Sequence, residues 1–266
     1  MERILKGVIK YRDTLRSTML KEFQQVRDNP KPVILMFTCM DSRLLPTRFL
    51  QSHVGEVFVV RNAGNMIPKS NNYGAVGTDI CVSTEPAAME LAVKRGGIKH
   101  IVICGHSDCK AVNTLHNINL CPKEFDPTSP MDHWVRANGY PSVQKLHKNL
   151  VNRTKPLYYE CEVNPKLSFE ALIDPHNKLA VEDKLSQINV LEQLTNTSSH
   201  GILRKYFEED QLFVHGMWFD IYEGEVYLFS RKRKRFIKIT ELSVGALLAE
   251  LPAPEEQLPE EEAVAS

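Results

Sequence analysis

The sequence has no surplus of charge of either sign. Its 266 residues include 33 lysines and arginines and 33 aspartates and glutamates. A protein that binds nucleic acid or an anionic membrane through a basic surface usually carries a positive surplus, so no such partner is predicted. The chain also has no apolar run close to the roughly 20 residues that cross a bilayer. A short secretory apolar segment is missing as well, which predicts a protein that is not secreted and spans no membrane.

Closely spaced cysteine pairs are also missing. The six cysteines are scattered along the chain, at positions 39, 81, 104, 109, 121 and 161. In a chain of this length such scatter favours a reducing compartment over a disulfide framework. We therefore expect an intracellular protein, in the mitochondrial matrix or the cytosol. A redox pair of Cys39 and Cys109 is an alternative, although the spacing is not the C-x-x-C of redox motifs.

One stretch carries two residues that commonly bind metal. Ile101-Val-Ile-Cys-Gly-His-Ser-Asp-Cys109 begins as a buried strand and is predicted to turn into a helix at its end. His106 and Cys109 would then lie on one side of a single helical turn, which suits a tetrahedral zinc. A lone pair of this kind is more often an inert histidine and a buried thiol, so a third ligand is needed.

A second apolar stretch supplies that third residue. Residues 33–39 are apolar enough to form a strand buried on both faces, and Cys39-Met-Asp-Ser-Arg43 follows at its end. If the two strands are neighbours in a parallel sheet, their carboxyl ends face one crevice. Cys39, His106 and Cys109 would then form a Cys2His set with one position open, the pattern of catalytic rather than structural zinc.

These two motifs together are specific. Cys39-Met-Asp-Ser-Arg43 with Gly105-His-Ser-Asp-Cys109 resembles the β class of carbonic anhydrases, and the likeness runs from about residue 3 to residue 230. Segments 55–65, 85–93 and 214–221 also match. The resemblance implies one zinc per chain, held by Cys39, His106 and Cys109, and the reversible hydration of carbon dioxide to bicarbonate and a proton by zinc hydroxide.

The resemblance also implies roles for residues around the metal. Asp41 would accept a hydrogen bond from the hydroxide, and Arg43 would hold Asp41 in place. If Arg43 let go, Asp41 would become a fourth zinc ligand and expel the water. Phe58 and Leu91 occupy positions of the substrate pocket, although Leu91 replaces a common tyrosine and Phe58 is as well explained by core packing. Lys110 stands where a glycine is usual.

Other functions remain open at this stage. The same zinc chemistry could hydrolyse an analogue of carbon dioxide, carbonyl sulfide or carbon disulfide, because a fold does not fix its substrate. A non-catalytic zinc-binding or scaffold protein would need a broken site, whereas all three ligands, Asp41 and Arg43 are present. A basic run at 231–235 could be a nuclear localisation signal or a nucleic-acid patch, but it is better explained as a solvated strand end.

The predicted fold is α/β. We expect a central, mostly parallel β-sheet flanked by helices, with an antiparallel edge hairpin and an N-terminal helical arm. The arm covers residues 1–28. The resemblance implies that it packs on a partner subunit and that a neighbouring subunit helps to line the substrate pocket, so we expect a homodimer or a larger homo-oligomer. The arm's basic residues also fit a mitochondrial presequence, against which its acidic residues speak. Residues 29–250 form the zinc-dependent catalytic domain and residues 251–266 a flexible acidic tail.

The remaining elements follow from local patterns. Further strands are expected at 56–62, 98–105, 211–221 and 226–229, the last two forming the edge hairpin. Helices are expected at 44–50, 84–95, 111–119, 179–195 and 202–207, with Thr84 as an N-cap and 179–195 amphipathic. Residues 71–83 and 120–130 are predicted to be loops, and 155–176 have no clear pattern.

Overall fold

A six-stranded sheet organises the chain. The computed structural model describes residues 1–70, 83–162 and 164–252. In those residues, eight strands form one sheet of six, in the order β2-β1-β3-β6-β7-β8, and a separate pair, β4-β5. Their bounds are β1 Ile34–Cys39, β2 Val57–Asn62, β3 His100–His106, β4 Leu157–Tyr159, β5 Phe169–Ala171, β6 Phe213–Asp220, β7 Glu225–Ser230 and β8 Arg235–Lys238.

The larger sheet is parallel across its first four strands and antiparallel at one edge. Strands β2, β1, β3 and β6 run in parallel, whereas β7 and β8 pair antiparallel with their neighbours. This is the predicted mixed sheet with its edge hairpin. The basic run at 231–235 connects β7 to β8, and β8, which the sequence did not indicate, forms the outermost strand.

Helices cover the sheet. They are α1 Glu2–Thr14, α2 Arg16–Asp28, α3 Pro46–Phe49, α4 Thr84–Met89, α5 Lys110–Leu120, α6 Pro130–Val151, α7 Val181–Ser198, α8 Arg204–Glu208 and α9 Glu241–Leu248. A π-helical turn, Glu90–Arg95, continues α4, and short 3₁₀ turns lie at Pro122–Glu124, Pro165–Leu167 and Gly201–Leu203. None of the helices in the described part of the chain combines the length and apolarity that a bilayer crossing requires.

Helix α7 lies at the centre of the molecule. The prediction that it is amphipathic is wrong. Fifteen of its eighteen residues are buried. It packs against β3 and β6, and the bare backbone of Gly105 permits this approach, because a Cβ there would overlap Val190. The buried polar groups of α7 form hydrogen bonds with distant backbone, as Gln193 does with the N–H of Ile67. The prediction failed because a polar residue can be buried when its hydrogen bonds are satisfied.

The N-terminal arm differs from α7 in every respect. Helices α1 and α2 break only at Leu15, and neither contains a buried residue. Apolar side chains are exposed along the arm, including Ile4, Leu5, Val8, Ile9, Leu15, Leu20 and Phe23. Both helices lie within the predicted N-terminal helical arm. Their packing on a partner subunit stays a prediction.

Several local predictions need correction. The helix at residue 84 starts with Ser83, not Thr84, as its N-cap. Helix α6 was not predicted, and β4 and β5 lie in the stretch without a clear pattern. The predicted loop at 71–83 and the acidic tail at 251–266 lie outside the described residues, except for Ser83, Leu251 and Pro252.

Candidate metal centre

Strands β1 and β3 lie side by side in parallel register, so their carboxyl ends open at one edge of the sheet. Cys39 is the last residue of β1 and His106 the last residue of β3. Both side chains are buried, as is that of Cys109, and their ligand atoms all lie within 4.8 Å of one another. The structure thus brings together the three side chains that the sequence predicted as ligands. In the part of the chain that it describes, no second group of three such side chains is found.

The turn after β3 places Cys109. The prediction that His106 and Cys109 share a helical turn is wrong, because His106 ends β3 and Cys109 is the N-cap residue of α5. Asp108 between them has a left-handed backbone, with φ of +51°. The hydroxyl of Ser107 donates to Asp220 Oδ1 at 3.0 Å and fixes the turn against β6. A strand end, a turn and a helix start together converge on one point.

The imidazole of His106 is oriented by the backbone. Its Nδ1 lies 2.8 Å from the Ser107 carbonyl oxygen, so Nδ1–H is the donor and Nε2 carries the lone pair. Nε2 is buried and has no hydrogen-bond partner among the described residues. A buried nitrogen rarely lacks a partner. With two thiols beside it, this lone pair fits a zinc ion, whose histidine ligands commonly donate their other N–H in this way.

The two thiols contact each other, with 3.8 Å between Cys39 Sγ and Cys109 Sγ. Donation from Cys109 lowers the pKa of Cys39 to about 4. The same contact, together with burial, raises the pKa of Cys109 well above its usual value. Because the thiolate is the metal-binding form, Cys39 is ready to act as a ligand at neutral pH.

Cys39, His106 and Cys109 together are the candidate metal set. Asp41 and Arg43 form a close ion pair beside it. Arg43 Nε donates to Asp41 Oδ1 at 3.0 Å and Arg43 Nη2 donates to Asp41 Oδ2 at 2.7 Å. The Arg43 backbone N–H also donates to Oδ1, at 2.9 Å. These hydrogen bonds hold the pKa of Asp41 well below its usual range and raise the pKa of Arg43. Both oxygens of Asp41 are therefore engaged by Arg43 in the structure.

Arg61 supports the same loop from β2, where the sequence suggested no role. Its Nε donates to the carbonyl oxygen of Cys39 at 3.1 Å, and its Nη2 donates to the carbonyl oxygens of Asp41 and Leu44 at 2.6 and 3.0 Å. Three backbone carbonyls after β1 thus share one guanidinium. The signal available in the sequence was only an arginine near the end of a strand adjacent to Cys39.

Sequence reasoning also missed two residues that lie behind the metal set. Asp108 accepts from Arg43, and α7 contributes Ser186, whose hydroxyl donates to the His106 carbonyl oxygen at 2.6 Å. Ser186 Oγ also accepts from the indole N–H of Trp218 at 3.1 Å. These contacts join residues 32 to 80 positions apart, so no local pattern could indicate them.

The two predicted pocket residues do not adjoin the metal set within one chain. Phe58 pairs with Leu35, four residues before Cys39, which places it roughly 13 Å along the strand from the ligand. It is partly buried and packs against the core. Leu91 lies in the π-helical turn and is 54% exposed. Their role in a substrate pocket stays a prediction that needs a second subunit.

The chain is similar to known carbonic anhydrases over most of its length. The family model described as carbonic anhydrase matches residues 34–226. The β-carbonic anhydrase 1 of Caenorhabditis elegans is 59% identical over 261 residues, which is 97% of this chain and 96% of the relative. The protein of the same name from Caenorhabditis briggsae is 55% identical over the same shares.

Solved structures resemble most of the chain. The β-carbonic anhydrase CcaA is 26% identical, with a TM-score of 0.69 over 91% of this chain and 92% of that one. A structure from work on two tetrameric β-carbonic anhydrases of Sordaria macrospora has a TM-score of 0.59 at 22% identity, over 86% of this chain and 96% of that one. The second likeness supports the fold alone.

Proposed function

The chain belongs to the β-carbonic anhydrase family, and from that premise we propose that Cys39, His106 and Cys109 hold its catalytic zinc. The protein is a zinc-dependent carbonic anhydrase that catalyses the reversible hydration of carbon dioxide. One water and one carbon dioxide give one bicarbonate and one proton, so no oxidant or reductant is needed.

One observation carries the assignment of the ligands. His106 Nε2 is buried and unpartnered, and it lies in a group with two thiols whose ligand atoms are within 4.8 Å of one another. Other buried polar atoms of the described residues also lack a hydrogen-bond partner, but among them only His106 Nε2 lies in a group of potential metal ligands. Three protein ligands leave a fourth position open, as a catalytic zinc requires.

The zinc, when bound, supplies Lewis-acid chemistry that in carbonic anhydrases with three histidine ligands lowers the pKa of water from about 15.7 to about 7. Two thiolates among the ligands donate more charge than imidazoles do. Neighbouring side chains must therefore favour proton loss and orient the nucleophile. Asp41 would orient the nucleophile, because Arg43 holds its carboxylate as an anion that can accept a hydrogen bond.

Asp41 has a second proposed role. If the pairing with Arg43 broke, Asp41 would be free to bind the metal as a fourth ligand, which would close the site. Two states follow, one with Asp41 on Arg43 and one with Asp41 on the metal. The first allows turnover and the second blocks it.

The assembly that we propose is a homodimer or a larger homo-oligomer. Residues 1–28 form an arm on a partner subunit, and residues 29–250 form the catalytic domain. Support for the arm comes from its exposed apolar side chains, such as Ile4, Val8 and Phe23, which need a surface to cover them. Phe58 and Leu91 would then line a pocket completed by the second chain.

The location that we propose is intracellular, in the cytosol or the mitochondrial matrix. The five described cysteines are all free, which fits a reducing compartment. Expression of the full chain fused to a fluorescent protein at its C-terminus would separate the two locations. Mitochondrial fluorescence that disappears on deletion of residues 1–28 would assign the arm to targeting rather than to assembly.

Stopped-flow hydration of carbon dioxide, with zinc measured on the same sample, tests the proposed site. We expect one zinc per chain and rapid hydration, and we expect Cys109→Ser to lose metal and activity together, because serine is a poor zinc ligand. Cys104→Ser is the matched control, since Cys104 is equally buried but lies outside the group. Full zinc and activity in Cys109→Ser would remove Cys109 from the ligand set.

A further inference from the structure

Arg43 lies between two carboxylates, not one. One edge of its guanidinium faces Asp41, and the other faces Asp108 at the end of β3. Arg43 Nη1 donates to Asp108 Oδ2 at 2.8 Å, and Arg43 Nη2 donates to the Asp108 carbonyl oxygen at 3.0 Å. The arginine thus links the loop after β1 to the turn after β3, across the crevice that holds the metal set.

Asp108 is itself held rigidly. Its backbone N–H donates to Asp183 Oδ1 on α7 at 2.8 Å. Its Oδ1 accepts from Lys110 Nζ at 2.8 Å and from Asn113 Nδ2 at 3.3 Å. The side chain of Asp108 is 20% exposed, against 38% for Arg43. Asp108, held by its own hydrogen bonds, therefore presents an anchor to the longer and more exposed side chain of Arg43.

We propose that Asp108 is a positioning residue that keeps Arg43 on Asp41 and thereby keeps Asp41 off the metal. This inference rests on the proposed function, because it concerns the balance between the two states of Asp41. Asp108 touches neither the metal set nor the reacting atoms through its carboxylate. It acts through Arg43.

The carboxylates of Asp41 and Asp108 use different N–H groups of Arg43. Arg43 Nε serves Asp41 alone, and Arg43 Nη1 serves Asp108 alone, so the two carboxylates do not displace each other. Fixing a free arginine side chain costs up to about 2 kcal/mol of conformational entropy. Asp108 meets that cost in both states of Asp41, so Asp41 finds the guanidinium already in place.

The backbone of Asp108 decides which substitutions can test this. At a φ of +51°, asparagine and glycine fit without strain, whereas alanine would not. Asp108→Asn removes the charge and keeps an acceptor oxygen, and Asp108→Gly removes the anchor altogether. Asp210 provides matched controls, because it is exposed, has a φ of +53° and lies in the turn after α8. Asp210→Asn and Asp210→Gly repeat the same changes away from the site.

Azide binding to the cobalt(II)-substituted protein measures the open state directly. Azide takes the metal position that Asp41 would occupy, so its apparent dissociation constant rises as the open fraction falls. We expect the ratio of open to closed sites to fall about fivefold in Asp108→Asn, the size of one partly exposed charged hydrogen bond, so that the azide dissociation constant rises by up to that factor, and further in Asp108→Gly. Both Asp210 variants should bind azide as the unaltered protein does, and all four should keep their cobalt content.

The outcomes separate this inference from the proposed function. If the unaltered cobalt protein binds azide and the zinc protein hydrates carbon dioxide, but Asp108→Gly binds azide unchanged or more tightly, only the role of Asp108 is overturned. If the unaltered protein neither binds azide nor hydrates carbon dioxide, the proposed metal site fails and the inference fails with it.

Discussion

Strand β3 begins and ends with a histidine, and the two ends behave differently. At its start, His100 Nδ1 lies 3.0 Å from His215 Nε2, and its ring stacks on Phe213 with centroids 5.6 Å apart. At its end, His106 has one nitrogen bound to backbone and the other buried without a partner. A histidine whose neighbours satisfy it contributes to stability, whereas one left with a buried lone pair is prepared for a ligand. Residue type alone does not distinguish them.

The largest effect should come from making the same substitution at both ends. His106→Gln should lose zinc and at least about a thousandfold in hydration rate, because the metal ligand is gone. His215→Gln should keep both, since an amide can replace the hydrogen bond to His100. Metal analysis and stopped-flow rates on the two purified variants check this. Equal zinc content in the two would erase the difference between the ends.

A smaller loss of activity should follow from breaking the ion pair between Arg43 and Asp41, which lies near the carboxyl end of β3. Arg43→Ala should retain zinc but lose about a hundredfold in turnover, because a misplaced Asp41 no longer orients the nucleophile and moves onto the metal. Asp41→Asn should also be slow yet keep the fourth position open, since an amide is a weak ligand. Crystal structures of the two zinc-loaded variants separate these states. Arg48→Ala, at an exposed arginine on α3, serves as the control. Near-normal turnover of Arg43→Ala would make the pair merely structural.

At the amino end of β3, the histidine pair should affect the pH dependence of stability and not the activity. Burial, and to a lesser degree the nearby charges of His100 and Arg231, lower the pKa of His215 from 6.5 to about 4. As the pH falls below 6.5, His215 binds a proton in the unfolded chain but not in the folded one. The contribution of neutral His215 to the free energy of unfolding is therefore fully present above pH 6.5 and is lost as the pH falls towards 4. The loss should be on the order of 2 kcal/mol. Melting temperatures between pH 4 and 8 should fall less steeply for His215→Gln, and identical slopes would contradict the assignment.

The smallest effect concerns the support behind His106. Ser186→Ala should lower stability by about 1–2 kcal/mol, because it leaves the buried N–H of Trp218 and a carbonyl oxygen without this partner. Ser17→Ala, an exposed serine in α2, makes the same helical change without a buried partner and should be neutral or slightly stabilising. Thermal unfolding of both variants provides the comparison. An equal response would show that Ser186 contributes nothing from its buried position.

The sequence predicted that Cys39, His106 and Cys109 come together, because the signals for the two strands that carry them are local. Two apolar runs specify β1 and β3, and neighbouring parallel strands bring Cys39 and His106 to one edge. The turn between His106 and Cys109 was wrongly predicted as helical, since the left-handed backbone of Asp108 has no sequence signal as firm as a glycine. What local patterns specify, the chain builds where expected.

The remaining features depend on contacts between distant residues. Arg43 meets Asp108 across 65 positions, and no spacing rule links them. Helix α6 was missed because Pro141 lies within it, a residue that normally argues against a helix interior. Helix α7 was placed well but its burial was not, because that burial relies on hydrogen bonds to loops elsewhere in the chain. Phe58 and Leu91 concern a second subunit, which a single chain does not display.

The central position of α7 has a kinetic consequence. Its hydrogen bonds to Asp108, His106, Gly64 and Ile67 span between 75 and 129 residues. Closing such long loops costs entropy before any contact repays it, so folding steps that depend on them come late. We therefore expect the β1–β3 pair to form ahead of the docking of α7. A nascent chain would then complete the candidate zinc pocket only after residues 181–198 have left the ribosome, and metal loading would follow the docking of α7.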